Sequence, residues 1–303
     1  MAFATINYHS RSLQKASSFN IVFPDDPKIA KPWSVFYLLH GLSDDHTIWM
    51  RRTSIERYVE GLPLVVVMPD GGRGWYTNAL EGYAHEDDLI KDVVRILDTT
   101  FPVKAERSGR CIGGLSMGAY GAVKVGLKHP NKFASMNSHS GAVGFLHGDP
   151  AHAKELSPEF ERIFGKSPRG GPEDPFAIVE KVDHGLIPAL RIDCGTSDFL
   201  LDQNRAFHAH LESLHVPHEY EEFPGGHDWS YWDRHVQEAI SFHVRNLGLK
   251  KSQRRGWAIE SIGSSITSLF VSSCYGTGIR SVSRTYPKPR MNMTATCSQS
   301  AAS

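Results

Sequence analysis

The chain has 303 residues, with 33 Lys+Arg balanced by 33 Asp+Glu, 16 His, 40% hydrophobic and 22% charged residues. That length and mix bury a substantial core and exclude a collagen, a coiled coil, a disordered tract and a disulfide-stapled miniprotein. Zero net charge argues against a nucleic-acid partner, but it sums two unlike parts: residues 250–303 carry +7 and residues 1–249 carry −7, with every histidine in the acidic part.

Along the chain, Ala4–His9 and Ser18–Phe23 read as two strands in a hairpin. Val35–His40 and Leu64–Met68 are nearly unbroken apolar runs, the pattern of strands buried on both faces of a parallel sheet. Leu89, Ile90, Val93, Val94 and Leu97 recur at helical spacing and predict a helix over Glu86–Thr99. A strand at Arg110–Gly114, a helix from Met117 to Lys128 and a strand at Ala134–Ser138 follow. Residues 141–188 break the rhythm with Gly, Pro and charged residues and one helical stretch near Glu159–Phe164, as expected of an insertion over the carboxyl ends of the strands. Strand Ala189–Cys194, a helix near Asp202–Leu214, strand His218–Phe223 and a helix near Arg234–Leu247 close the body. Alternation of this kind implies an α/β fold with a mostly parallel central sheet and helices on both faces.

The expected organisation is one domain over residues 1–249 and a basic tail over residues 250–303. The tail holds 12 Ser and 5 Thr, a composition expected to be disordered. Ile259, Ile262, Ile266, Leu269 and Phe270 nevertheless fall at spacings that allow a short amphipathic helix. The start of the chain lacks a signal-peptide pattern, and no apolar run reaches the ~18 residues of a membrane span. Cys111, Cys194, Cys274 and Cys297 form no C-x-x-C pair, so a soluble protein of a reducing, cytoplasmic compartment is expected.

Gly114-Leu115-Ser116-Met117-Gly118 lies between a predicted strand and a predicted helix, the context of a nucleophile elbow. The turn needs small residues on both sides of Ser116 and lifts its oxygen to a helix N-terminus, where developing negative charge is stabilised. A capping serine is the plainer alternative; no Gly-rich phosphate motif is present.

A serine nucleophile on this kind of sheet takes its acid and base from later in the chain. His208, His210 and His215 fall on or just after one predicted helix and His235 and His243 on another, while His218 begins a strand. His227 stands in Pro224-Gly225-Gly226-His227-Asp228, a glycine loop off a strand end that can carry an imidazole over the sheet. Asp198, in the loop after Ala189–Cys194, is the favoured acid and Asp202 the alternative. His208 and His210 are two apart on a helix and point to different sides, and H-E-x-x-H is absent, so no catalytic metal is expected. Two backbone donors would hold an oxyanion: Met117, after the nucleophile, and Leu42, in His40-Gly41-Leu42 after an early strand. His40 is expected to hold that loop rather than move protons. Trp75, Tyr76 and Trp229 are candidate substrate-binding residues, with Trp49 and Trp232 equally suited to packing beneath the site.

Together these segments resemble the esterase D / antigen 85-like branch of the α/β-hydrolases. The likeness is carried by Leu38–Leu42 with Trp49, Met68–Asn78, Gly114–Gly118, Cys194–Leu200 and Gly226–Trp232, and covers about residues 5–248. It implies a cofactor-free serine carboxylesterase with Ser116, Asp198 and His227 as triad and Leu42 and Met117 at the oxyanion hole. Trp75-Tyr76-Thr77-Asn78 is most similar to tributyrin-esterase and acetyl-esterase members, implying small acetyl or butyryl esters as substrates. The branch also holds S-formylglutathione hydrolases, feruloyl esterases and acyltransferases. Formylglutathione members carry Cys-Thr soon after the His-Gly-Leu loop; here Ser43-Asp44-Asp45 stands instead, which counts against that thioesterase.

Overall fold

Eight strands form one sheet in the computed structural model, which describes residues 1–147 and 157–252. The strands are β1 (Ala2–Ser10), β2 (Lys15–Phe23), β3 (Ser34–Leu39), β4 (Leu64–Pro69), β5 (Arg110–Leu115), β6 (Ser135–His139), β7 (Ala189–Gly195) and β8 (His218–Phe223), in the order β1-β2-β4-β3-β5-β6-β7-β8. β1 and β2 form the expected hairpin, and β2 joins β4 antiparallel. From β4 through β3 to β8 every pairing is parallel. The continuous apolar runs β3, β4 and β5 are wholly buried, whereas edge strand β1 alternates in exposure.

Successive residues of a strand face opposite sides, and the core divides accordingly. Val35, Tyr37 and Leu39 join one apolar cluster, while Phe36 and Leu38 join the other. The first cluster packs under a helical run of α3 (His85–Asp87), a π segment (Asp88–Val93) and α4 (Val94–Thr100), together with α5 (Met117–Lys128). The second includes residues of α1 (Ile48–Arg52) and α2 (Ile55–Tyr58), two short helices the periodicity did not reveal.

The insertion holds α6 (Ser157–Phe164), where a helical stretch is expected, and also α7 (Pro175–Val179). Asp174 caps α7 by accepting from the Phe176 N–H, and Pro175 occupies the first helical position. After β7 comes α8 (Leu201–Ser213), and after β8 comes α9 (Trp229–Asn246). The last helix starts five residues before the predicted Arg234, because the Asp228 carboxylate accepts from the Ser230 and Tyr231 N–H groups.

The free thiols of Cys111 and Cys194 are buried in β5 and β7. Among the described residues no helix is long and apolar enough to cross a membrane. The possible helix at 259–270, and the tail from residue 253 onward, lie outside the described residues.

Candidate active site

Ser116 stands between β5 and α5 with φ 53° and ψ −117°, a conformation that side chains rarely adopt. Such strain costs on the order of 1–3 kcal/mol and persists only where the surroundings over-determine it. Here they do: the Ser116 N–H donates to the His139 carbonyl (3.0 Å), and its own carbonyl accepts from Tyr120 (3.0 Å) and Ala142 (3.2 Å). A Cβ on Gly114 would sit 2.6 Å from the Leu39 carbonyl oxygen, and one on Gly118 would sit 2.5 Å from the His40 carbonyl oxygen. The small residues flanking the serine are therefore required by backbone, which has nowhere to move.

The loops after β7 and β8 carry the other two groups and are fastened together. Thr196 donates to the Phe223 carbonyl (2.8 Å) and Ser197 to the Gly225 carbonyl (2.9 Å). With those loops held, His227 Nε2 lies 3.0 Å from Ser116 Oγ, and His227 Nδ1 lies 3.0 and 2.9 Å from the two Asp198 carboxylate oxygens. A carboxylate only accepts, so Nδ1 carries the proton and Nε2 is free to accept from the serine hydroxyl. Burial pushes the Asp198 carboxyl up, but hydrogen bonds from His227, the Leu200 N–H and Ser140 outweigh it and hold the carboxyl below its ordinary value. Asp202, the alternative acid, is 97% exposed and faces Arg205 at 4.0 Å. Four of the other histidines are engaged elsewhere: His208 with His218 (2.7 Å), His210 with the Phe176 carbonyl (3.2 Å) and His243 with Ser135 (2.8 Å).

Met117 is the first residue of α5, so its N–H is one of the four a helix leaves without an intrahelical partner. The His40-Gly41-Leu42 segment follows β3 and lies against the serine: a Cβ on Gly41 would be 3.7 Å from the Ser116 Cβ. His40 is buried, and the Gly71 N–H donates to its Nε2 (2.9 Å), which leaves Nδ1 as the donor to the Gly41 carbonyl (2.8 Å). Both ring nitrogens thus brace the loop, as expected from the sequence.

The aromatic candidates separate. Trp229 is half-buried, packed edge-on to Trp49 and Trp232, each with centroids 5.2 Å away. Trp75 stacks on Phe145 at 4.2 Å, with Phe164 edge-on to both. Tyr76 does not line open space: it is 1% exposed and its hydroxyl is engaged with the His40 backbone. Two residues the sequence reading passed over belong to the neighbourhood. Phe145 lies three residues beyond Ala142, and Phe199 packs on the His227 imidazole with centroids 4.5 Å apart. The only signal for Phe199 was its place directly after Asp198, a large apolar side chain in a loop.

A serine on a strand-to-helix turn, above a mostly parallel sheet and within reach of a histidine, defines an α/β-hydrolase. Residues 10–242 match the Esterase family, and the chain belongs to it, within the esterase D / antigen 85-like serine hydrolases. It is a carboxylic ester hydrolase. An acetyl esterase of Caldicellulosiruptor saccharolyticus is 28% identical over 260 residues, covering 80% of this chain and 98% of that one. The substrate-bound structure of FphF, a fluorophosphonate-binding serine hydrolase of Staphylococcus aureus, is 33% identical with TM-score 0.73, over 80% of this chain and 98% of that one. The S. aureus S-formylglutathione hydrolase FrmB is 32% identical with TM-score 0.70 over the same shares.

Proposed function

We propose that the protein is a serine carboxylesterase that hydrolyses short-chain acyl esters through an acyl-enzyme on Ser116. The observation that carries this reading is the hydrogen-bonded line from Ser116 Oγ through His227 to Asp198. His227 Nε2 takes the serine proton as Oγ attacks the ester carbonyl, and Asp198 stabilises the imidazolium that forms. The Leu42 and Met117 N–H groups receive the oxyanion. His227 then protonates the departing alcohol, and water repeats the sequence to release the acid and free the serine.

The likeness to an acetyl esterase supports a short acyl chain. S-formylglutathione hydrolysis is a second reading, favoured by the likeness to FrmB and opposed by Ser43-Asp44-Asp45 after the His-Gly-Leu loop.

A panel of p-nitrophenyl acetate, p-nitrophenyl butyrate, methyl ferulate and S-formylglutathione tests the proposal. The highest kcat/KM is expected on acetyl or butyryl esters, with turnover abolished in Ser116→Ala and a fluorophosphonate probe attached to Ser116. Turnover that survives in Ser116→Ala sinks the acyl-enzyme; a kcat/KM highest on S-formylglutathione replaces the short-chain reading with the thioesterase.

A further inference from the structure

The proposed chemistry makes no use of Lys124, although this lysine is fully buried in α5, about two turns beyond Ser116. Its ammonium donates to the Tyr76 carbonyl (2.6 Å), to Thr77 Oγ1 (2.8 Å) and to Glu173 Oε2 (2.8 Å), and lies 2.9 Å from Glu86 Oε2. The segment that ends at this grip is unusual. Trp75 and Tyr76 are consecutive non-glycine residues with φ 53° and 50°, a left-handed backbone that bulky side chains avoid unless something holds it. The Tyr76 ring is then packed so closely against Gly71 and Gly121 that a Cβ on either would come within 2.6 Å of it.

What this arrangement aims is the Tyr76 hydroxyl. It accepts from the His40 N–H (3.0 Å) and donates to the His40 carbonyl (3.3 Å). Burial raises the phenol well above its ordinary pKa, so it keeps the proton with which it donates. Because both polar groups of the His40 backbone are engaged by one hydroxyl, the peptide leading into Gly41 and Leu42 cannot rotate freely.

We infer that Tyr76 is a positioning residue for the oxyanion loop, and that Lys124 fixes Tyr76 from the nucleophile helix. This rests on the reading of the Leu42 N–H as an oxyanion donor. The two proposed donors then share one frame. Met117 begins α5; Leu42 is tied back to the same helix through His40, Tyr76 and Lys124. An oxyanion hole holds its donors about 2.7–3.1 Å from the oxyanion, and a misplacement of ~1 Å can cost ~100-fold in rate. Neither side chain touches substrate, so their loss should leave ground-state binding intact.

Tyr76→Phe removes only the hydroxyl. On p-nitrophenyl acetate the expected result is a fall in kcat of about tenfold with KM within about twofold. Binding of a trifluoromethyl ketone, whose adduct with Ser116 carries the oxyanion, should weaken by the same factor. Lys124→Met should shift both quantities in the same direction. Lys128 still bridges Glu86 and Glu173 at 2.8 Å each, so that substitution does not leave the carboxylates without a cation. Thermal unfolding of each variant shows how much is folded at the assay temperature. A Tyr76→Phe kcat within twofold of wild type overturns the inference. So does a loss of kcat with unchanged ketone affinity, or one that only tracks the unfolded fraction. Failure of the wild-type protein to attach a fluorophosphonate at Ser116 overturns the functional reading instead.

Discussion

The phenyl ring of Phe199 lies 4.5 Å from the His227 imidazole and is 75% exposed. The buried Trp232 indole also packs against the imidazole, the two rings perpendicular with centroids 4.9 Å apart. Phe199 is thus a large, exposed apolar side chain directly beside the group that, in the proposed mechanism, protonates the leaving alcohol.

Phe199→Ala is therefore expected to lower kcat/KM on p-nitrophenyl and benzyl acetates by about three- to tenfold, as loss of apolar contact with the aromatic alcohol would, and on methyl acetate by less than twofold. The comparison holds the acyl group constant and varies only the alcohol. An equal loss across the alcohol series would assign Phe199 to loop structure rather than to leaving-group recognition.

Gly118 offers a test of the elbow. An added Cβ meets the carbonyl oxygens of Leu39 and His40, both at 2.5 Å, and neither is the end of a flexible side chain. Gly118→Ala is expected to destabilise by about 1–3 kcal/mol, as overpacking does, and to displace the strand that leads into the loop carrying Leu42, the proposed oxyanion donor. Urea denaturation read beside p-nitrophenyl acetate turnover would show kcat falling more than tenfold in protein that is still folded. A variant with wild-type stability would mean the elbow has room that the geometry denies.

The central elements were legible because their signals are local. A G-x-S-x-G run between a strand and a helix, a histidine after two glycines and an aspartate after a strand end need no long-range information, and the structure brings Ser116, His227 and Asp198 together. The direction of Tyr76 was not legible. An aromatic pair in a glycine-rich loop reads as pocket lining, and only the hydroxyl's partner, His40, 36 residues earlier, turns it inward. Lys124 was hidden for the same reason: a lysine on a helix reads as solvated until Glu86 and Glu173 arrive from other segments. The early start of α9 was missed because Trp229–Trp232 was weighed as a site motif rather than as a first helical turn capped by Asp228.

Acid stability should carry the mark of His243. It is buried between Ser135 Oγ (2.8 Å) and Asn137 Oδ1 (2.9 Å), and burial, with His139 and Arg191 nearby, lowers its pKa to about 3. In the unfolded chain the same group titrates near its ordinary 6.5. Between those values the unfolded state binds the extra proton, so stability falls as pH drops, by up to ~1.4 kcal/mol per unit. His85, lowered to about 4 mainly by burial, adds to the same limb. His243→Gln retains a donor and an acceptor but cannot titrate, and is expected to flatten the fall of Tm between about pH 6.5 and 4.5. A wild-type slope in the variant would place the acid sensitivity elsewhere.

The charge division of the chain leads to a truncation. Ser252 still belongs to the body: its N–H donates to the Gly61 carbonyl (2.8 Å), and the Lys251 side chain lies against Gly61. A chain ending at Ser252 is expected to keep kcat/KM on p-nitrophenyl acetate within twofold and Tm within about 2 °C of the full chain. One ending at Leu249 gives up that backbone hydrogen bond, worth about 0.5–1.5 kcal/mol, and should melt about 2–5 °C lower with unchanged turnover. Residues 1–252 carry a net charge of −5, against zero for the whole chain, so the shorter protein should also bind an anion exchanger more tightly. Loss of turnover on cutting at Ser252 would mean that residues beyond it complete the site, and the basic segment would then be part of the enzyme rather than an appendage to it.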